Sequence, residues 1–545
     1  MSDAQAHAVG TGDTDPGRSA VPTTSSGPGP TSASAQVVVA ATDLAATVAD
    51  QVEAGGRFAG LVATARPDGA TTLQALLVRA KDVAVISAAL PPGAEHYPSL
   101  TPTVPAADWY EREVHDLFGI VADGHPGLDP LVLPLPHGTV RPRPGGPGGP
   151  GRVLHPDTAP LPAEVAGEGL FTIPYGPVRS GVFETIEYLV ETFGEDIPSL
   201  RTRVHYKHRG IDCRFGALGL DDAVLLAERV EGTASVAHAA AFSCAIEQLA
   251  GVTVPRPAQL LRVAHAELER IVNHLDSMVR HCEGAGQAVA NARLSTHKER
   301  LLQLRSRLCG HRFGRGVVVP GGVSGPPSWP VDTTLSDLER LERAVRSDVG
   351  ALMVTPSFLD RLRKTGPLPP QVVAEHGAVG PVGRGSGLAA DVRADRPANP
   401  YRTLGFEVAV ARDGDALARQ HVRVTEVRQS FHLVRQALDE LGEELPALRA
   451  RPGTSQHAAA GHGPGHEWWT PAVPGDGITV GAVEAPQGEL LYLVEVAGGR
   501  LARVKPRCAS FHNLALFPAA FQGDIFTDFV FIEASFGLSP AGAAG

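Results

Sequence analysis

Apolar residues between Leu260 and Cys282 fall at positions 260, 261, 264, 268, 271, 272, 275, 278, 279 and 282, the three-and-four spacing of one helix face. Pro257 stands just ahead, where a first turn needs no amide hydrogen. The pattern predicts a long helix whose apolar stripe packs in a bundle. Nearer the start the pattern changes. Phe58 to Arg66 and Thr72 to Arg79 are apolar, β-tolerant runs on either side of Pro67-Asp68-Gly69, a turn sequence suited to a hairpin, and Val83 to Ser87 offers a third strand. The expected fold class is α+β: a small N-terminal α/β domain over residues 37–135 and a larger, mainly α-helical domain over 166–545.

Three stretches interrupt these patterns. Residues 1–36 are rich in Ala, Ser, Thr, Gly and Pro, with little to bury, and read as a disordered arm. Residues 136–165, with R-P-R-P-G-G-P-G-G-P-G-R at their centre, read as a Pro/Gly linker. Residues from about 452 to 475 read as a solvated loop insertion, because its histidines His457, His462 and His466 are too loosely spaced to suggest a metal site.

Composition narrows the function classes. The net charge of -11 argues against nucleic-acid binding, which needs concentrated Lys and Arg. No apolar run reaches 18 residues, and the polar, acidic start is unlike a signal peptide. The expectation is a cytoplasmic chain with no direct membrane span, meeting a membrane through partners. Five scattered cysteines (Cys213, Cys244, Cys282, Cys309, Cys508) form no C-x-x-C pair and suggest reduced, mostly buried thiols.

Short motifs carry the remaining information. W-Y-E-R-E-V-H-D-L-F-G-I spans Trp109 to Ile120, followed by Gly124-His125-Pro126. Its plain reading is a helix with Trp109, Leu117 and Phe118 in a core and Glu111, Arg112, Glu113 and Asp116 pairing on the surface. Further along come E-L-E-R-I (Glu267 to Ile271) with His274, G-H-R-F-G-R-G (Gly310 to Gly316) and P-G-G-V (Pro320 to Val323). G-P-V-G-R-G-S-G-L-A-A-D-V-R (Gly380 to Arg393), Pro400-Tyr401, G-D-A-L-A-R (Gly414 to Arg419), E-A-P-Q-G-E (Glu484 to Glu489) and V-K-P-R (Val504 to Arg507) complete the series. In this order the motifs resemble a fused C-type and D-type large subunit of hydrogenase-4 and formate-hydrogenlyase-type complexes, the relatives of NADH-quinone oxidoreductase (complex I).

The resemblance implies a metal site whose ligands are gone. R-V-E-G-T-A-S-V-A-H (Arg229 to His238) is similar to R-V-C-G-I-C-x-x-x-H, and S-F-G-L-S-P-A-G (Ser535 to Gly542) to S-x-D-P-C-x-x-C. Glu231, Ala234, Ser539 and Gly542 therefore replace the four cysteine ligands of a nickel-iron centre, and this set lacks the soft thiolates that centre needs. The expected metal content is none. His238 reads as a hydrogen-bonded core histidine. Glu231 reads as solvated or salt-bridged, against alternatives of proton carrier or weak metal ligand.

The quinone-binding pattern of D-type subunits is altered as well. In the loop Gly176 to Glu184, Arg179 and Phe183 replace two histidines, and Leu220 replaces a tyrosine, so the usual hydrogen-bond donors to a quinone are lost. Arg179 has two open readings, an anion contact or a pair with Asp212 or Glu184. His208, Arg209 and Asp212 persist, and in the family this arginine lies beside the terminal iron-sulfur cluster of a partner. Arg179, His208 and Asp212 are the catalytic candidates. The chain alone is expected to bind no cofactor, with an iron-sulfur cluster in the partner and a quinone as a possible ligand.

The implied function is an oxidoreductase-complex subunit for electron transfer or coupling, of the kind that links NAD and quinone chemistry. It would pair with a small iron-sulfur subunit and with antiporter-like membrane subunits, on the inner face of the cell membrane. Two alternatives stay open: a quinone or small-molecule reductase subunit with a remodelled pocket, and a redox-inert scaffold.

Overall fold

A computed structural model describes residues 34, 36–79, 82–133, 169–180, 184–395, 400–449, 468–470 and 472–545. Most of the expected arm, the whole linker 136–165 and the three histidines of the loop insertion lie outside the described residues, as does Phe183, and Gln36 at the arm's end opens the first strand.

The N-terminal sheet has four strands, one more than the sequence suggested. Gln36–Ala40 lies parallel to Asp82–Leu90, which pairs antiparallel with Thr71–Arg79 and that strand with Arg57–Ala65. The expected hairpin turn is present, with the Gly69 amide bonded to Arg66 O at 3.0 Å. A bulge near Phe58 and Gly60 sets the side-chain alternation of the edge strand, so that Leu61 and Ala63 join the main core while Ala59 and Val62 face the other way.

The second face of this sheet meets the rest of the chain. Ala59, Val62, Leu76, Val83 and Val85 pack on Val480, Ala482, Leu491 and Leu493, which belong to a C-terminal antiparallel meander of Gly477–Ala485, Gly488–Ala497 and Arg500–Arg507. Charged pairs fasten the edges of this sheet-on-sheet contact. Arg57 Nη2 meets Glu489 Oε2 at 2.6 Å, and Lys505 Nζ meets Glu113 Oε1 at 2.7 Å.

The helix Asp108–Phe118 corrects one sequence expectation. Glu111, Glu113 and Asp116 do not pair on a surface; all three are buried. Glu111 accepts hydrogen bonds from the Ser99 hydroxyl (2.6 Å) and the Leu100 amide (2.9 Å), and Asp116 accepts from the amides of Leu131 and Val132 at 2.8 Å each. A buried carboxylate is stable only when its lone pairs are satisfied, and here loop backbone supplies the donors. Burial still pushes the Asp116 carboxyl up to about 6.

Beyond residue 169 helices dominate, as the sequence predicts, and short sheets join them. The helix Arg256–Gly284 packs against Ala288–Cys309 and the 34-residue Ala416–Arg449, as its stripe predicts. Two three-stranded antiparallel sheets accompany the bundle: the C-terminal meander, and Phe171–Tyr175, Glu187–Thr192 and Ser199–Arg203. The helix Ser235–Ala250 lies on the meander so closely that a Cβ at Gly481 would collide with Ala241 O. Among the described residues no helix is long and apolar enough to cross a membrane. Cys282 and Cys508 are buried, while Cys213, Cys244 and Cys309 are partly exposed, so the expectation of mostly buried thiols holds for only two of the five.

Candidate functional site

The motifs that lie far apart in sequence meet inside the bundle. Glu267 and Arg270 come from E-L-E-R-I, Arg384, Asp391 and Arg393 from the glycine-rich segment, Glu484 from E-A-P-Q-G-E, and Glu426 from the long helix. Arg384 reaches Glu426 at 2.7 Å, Glu484 at 2.6 Å and Asp391 at 3.0 Å. Arg393 joins Asp391 (2.7 Å) to Glu267 (3.3 Å), His274 meets Glu426 at 2.7 Å, and the Tyr401 and Ser430 hydroxyls each donate to Glu267 at 2.6 Å. Every ion here is buried, so each depends on the others for compensation. Four carboxylates face three guanidiniums, and burial together with Asp391 pushes Glu484 up to about 7. Glu484 is therefore the carboxyl that retains a proton most readily.

A narrow cleft of about 60 Å³ opens beside this network, between the loop after Gly176, the helix Arg256–Gly284, the turn at Pro486-Gln487 and the segment 533–540. Arg179 lies in it, and its open readings resolve to a different partner: both terminal nitrogens bond Glu533, each at 2.8 Å. The guanidinium also lies 5.1 Å from the Tyr175 ring and 5.4 Å from the Tyr188 ring. Glu184 is engaged elsewhere, accepting from the Ser539 hydroxyl at 2.8 Å and the Ala541 amide at 2.6 Å. Arg423 and Arg280 add positive charge to the lining.

The four positions at which the resemblance places cysteines do converge. Glu231, Ala234 and Ser539 are buried, and the helix Pro540–Ala544 carries Gly542 up against Glu231. A Cβ at Gly542 would lie 2.5 Å from Glu231 Oε2 and 3.0 Å from Cys508 Sγ. The Glu231 carboxylate thus fills the volume that a side chain at 542 would need. Burial, reinforced by the Glu231 charge, pushes the Cys508 thiol up to about 12, so it stays protonated. Its Sγ donates instead to Gly542 O at 2.9 Å. A nickel-iron centre does not fit these residues. Among the described residues no group of three or more His, Cys, Asp and Glu is arranged to hold a metal ion.

Glu231 is not solvated. Its Oε1 accepts from the Thr233 hydroxyl at 2.9 Å, and its Oε2 lies 3.6 Å from His238 Nε2. His238 is a core residue, as expected, with Nδ1 2.8 Å from the Tyr492 hydroxyl.

The H-R-G-I-D block is placed around the chain's last turn rather than in the cleft. His208 Nδ1 donates to Ala544 O at 2.7 Å, and burial lowers the pKa of that ring. The Arg209 guanidinium donates to the carbonyls of Arg229 (3.0 Å) and Ala541 (3.1 Å). Asp212 points the other way, held by Lys505 at 3.0 Å and Arg503 at 3.1 Å, whose charges keep its carboxyl low despite burial. The three catalytic candidates Arg179, His208 and Asp212 are therefore not gathered in one pocket. Leu220 begins the helix Leu220–Ala227 and packs on the main core.

Sequence reasoning missed Glu533, Thr233 and Cys508. Glu533 had no motif to mark it, Thr233 stands between two former ligand positions, and Cys508 directly follows V-K-P-R.

Comparison with known proteins agrees with this architecture. Residues 285–543 match the family described as respiratory-chain NADH dehydrogenase, 49 Kd subunit, and residues 39–144 the one described as the 30 Kd subunit. The membrane-bound hydrogenase subunit alpha of Pyrococcus furiosus is 30% identical over 375 residues, 67% of this chain and 84% of that protein. The fused C/D protein of NADH-quinone oxidoreductase from Gluconacetobacter diazotrophicus is 27% identical over 513 residues, 86% of this chain and 83% of that one. Formate hydrogenlyase subunit 5 of Escherichia coli is 29% identical over 366 residues, 63% of this chain, and the match spans 62% of its length. The chain belongs to the family of complex I 49 kDa and membrane-bound hydrogenase large subunits, with a 30 kDa-type domain fused ahead of it.

Proposed function

We propose that this chain is a peripheral subunit of a membrane-associated redox complex, serving electron transfer or coupling without a nickel-iron centre. One observation carries the reading: the positions where the resemblance places the cysteine ligands hold Glu231, Ala234, Ser539 and Gly542, and the Glu231 carboxylate occupies the space that a side chain at 542 would need. Substrate chemistry at a bound metal is thereby removed while the scaffold is kept. Arg209 supports the electron-transfer part. It is exposed beside the former ligand segment, where a positive charge would favour the reduced state of a neighbouring cluster. The partner is a small iron-sulfur subunit seated on this face, and antiporter-like subunits hold the assembly to the inner, cytoplasmic side of the cell membrane. The names of the relatives, a membrane-bound hydrogenase and an NADH-quinone oxidoreductase, support that assembly.

The test is affinity purification of the tagged chain from the membranes of its own cells. Recovery of a small iron-sulfur protein in equal amount is expected. Recovery of the chain alone from intact membranes would overturn the reading.

A further inference from the structure

The space around Glu231 holds a second titratable group. Glu231 and His238 are 2% and 0% exposed, and their facing atoms, Oε2 and Nε2, lie 3.6 Å apart. His238 Nε2 is buried with no hydrogen-bond partner, and the Glu231 carboxylate lies 3.6 Å from it. On the far side of the ring, Nδ1 is bonded to the Tyr492 hydroxyl. On the far side of the carboxylate, Oε1 takes the Thr233 hydroxyl, and Thr233 is exposed and lines the cleft. The series Tyr492, His238, Glu231, Thr233 therefore runs from the core to the cleft.

Charge decides what this pair holds. Without an added proton the pair carries a net negative charge in a desolvated site, whichever ring nitrogen bears the hydrogen. One added proton gives either a carboxylic acid or a carboxylate-imidazolium pair, and both are neutral overall. The groups around the pair leave this balance in place. Cys508 stays a thiol and Tyr492 a phenol, since burial raises both. Glu269, on the packed helix Arg256–Gly284, is itself pushed up to about 7 by burial, and any charge it carries repels that of Glu231. Arg209 attracts the carboxylate, but from a solvent-screened position.

We propose that Glu231 and His238 hold one exchangeable proton between them and exchange it with the cleft through the Thr233 hydroxyl. In the outward step the Thr233 oxygen takes the proton from Glu231 as its own hydrogen passes to a water in the cleft. The water gains one positive charge and the pair loses one, and the reverse step refills it. No partner subunit is involved, so a failure here leaves the electron-transfer reading standing, and a failure there leaves this one.

Infrared difference spectroscopy of the full-length chain, with pH steps in water and in deuterium oxide, tests the proposal. The expected result is a single joint protonation step of one carboxyl and one imidazole. Glu231→Gln abolishes that step, and His238→Gln removes its imidazole component. Thr233→Val leaves the midpoint in place but slows deuterium exchange of the held proton by roughly 100-fold, the weight of one member of a proton-transfer chain. A step that persists in Glu231→Gln overturns the proposal, as does exchange in Thr233→Val that is as fast as in the native chain. Should Glu231→Gln not fold, Glu231→Asp serves instead, and an unmoved step in that variant overturns it equally.

Discussion

The carboxylate of Glu231 and the missing side chain of Gly542 are sterically complementary, because a Cβ at 542 would lie 2.5 Å from Oε2. Gly542→Ala is thus expected to destabilise the chain by about 1–3 kcal/mol through overpacking. The same substitution beside Glu231→Gly should cost much less, a coupling that a double-mutant cycle in denaturant measures. Additive effects would mean that the carboxylate has room to move aside. His281 shows the same dependence on neighbours. Burial, with Arg423 nearby, holds its ring down to about 3, against an ordinary value of 6.5. The folded chain then keeps this ring neutral where the unfolded chain protonates it. The unfolded state binds more protons between these values, so the contribution of His281 to stability is lost as pH falls below 6.5. The stability gap between the native chain and His281→Asn should narrow by about 1.4 kcal/mol per pH unit in that range. Unfolding curves at pH 7.5 and 5 check this, and a constant gap would count against a neutral buried ring.

At the level of elements, the contact between the N-terminal sheet and the C-terminal meander joins the two family domains. Leu491 is fully buried in it. Leu491→Ala should cost about 2–5 kcal/mol. Hydrogen exchange should rise in Arg57–Ala65 and Thr71–Arg79 as well as in its own strand, and a rise confined to Gly488–Ala497 would show that the sheets do not support each other. These elements also show what the sequence discloses. The helix Arg256–Gly284 was legible because one face is apolar and the other is not. The meander was not, because Gly488 to Val496 is buried on both faces and reads as a continuous run with no period of two. The helix Asp108–Phe118 was legible as a helix, but not in the burial of Glu113, whose partner Lys505 lies nearly 400 residues onward.

For the molecule as a whole, order of motifs identified the scaffold, and departures from the motifs located the altered site. The ionic network explains why motifs that share no local structure stay together: Glu267, Arg384, Asp391, Arg393, Glu426 and Glu484 compensate one another where all six are buried. The cleft partners could not be read in advance, since Arg179 and Glu533 stand 354 residues apart with no shared pattern. The proposed function requires this hydrogenase-like scaffold to work without a nickel-iron centre. Elemental analysis of the complex purified from its own cells tests it most directly. The expected result is no stoichiometric nickel, with iron attributable to the partner's clusters, whereas one nickel per chain would contradict the account.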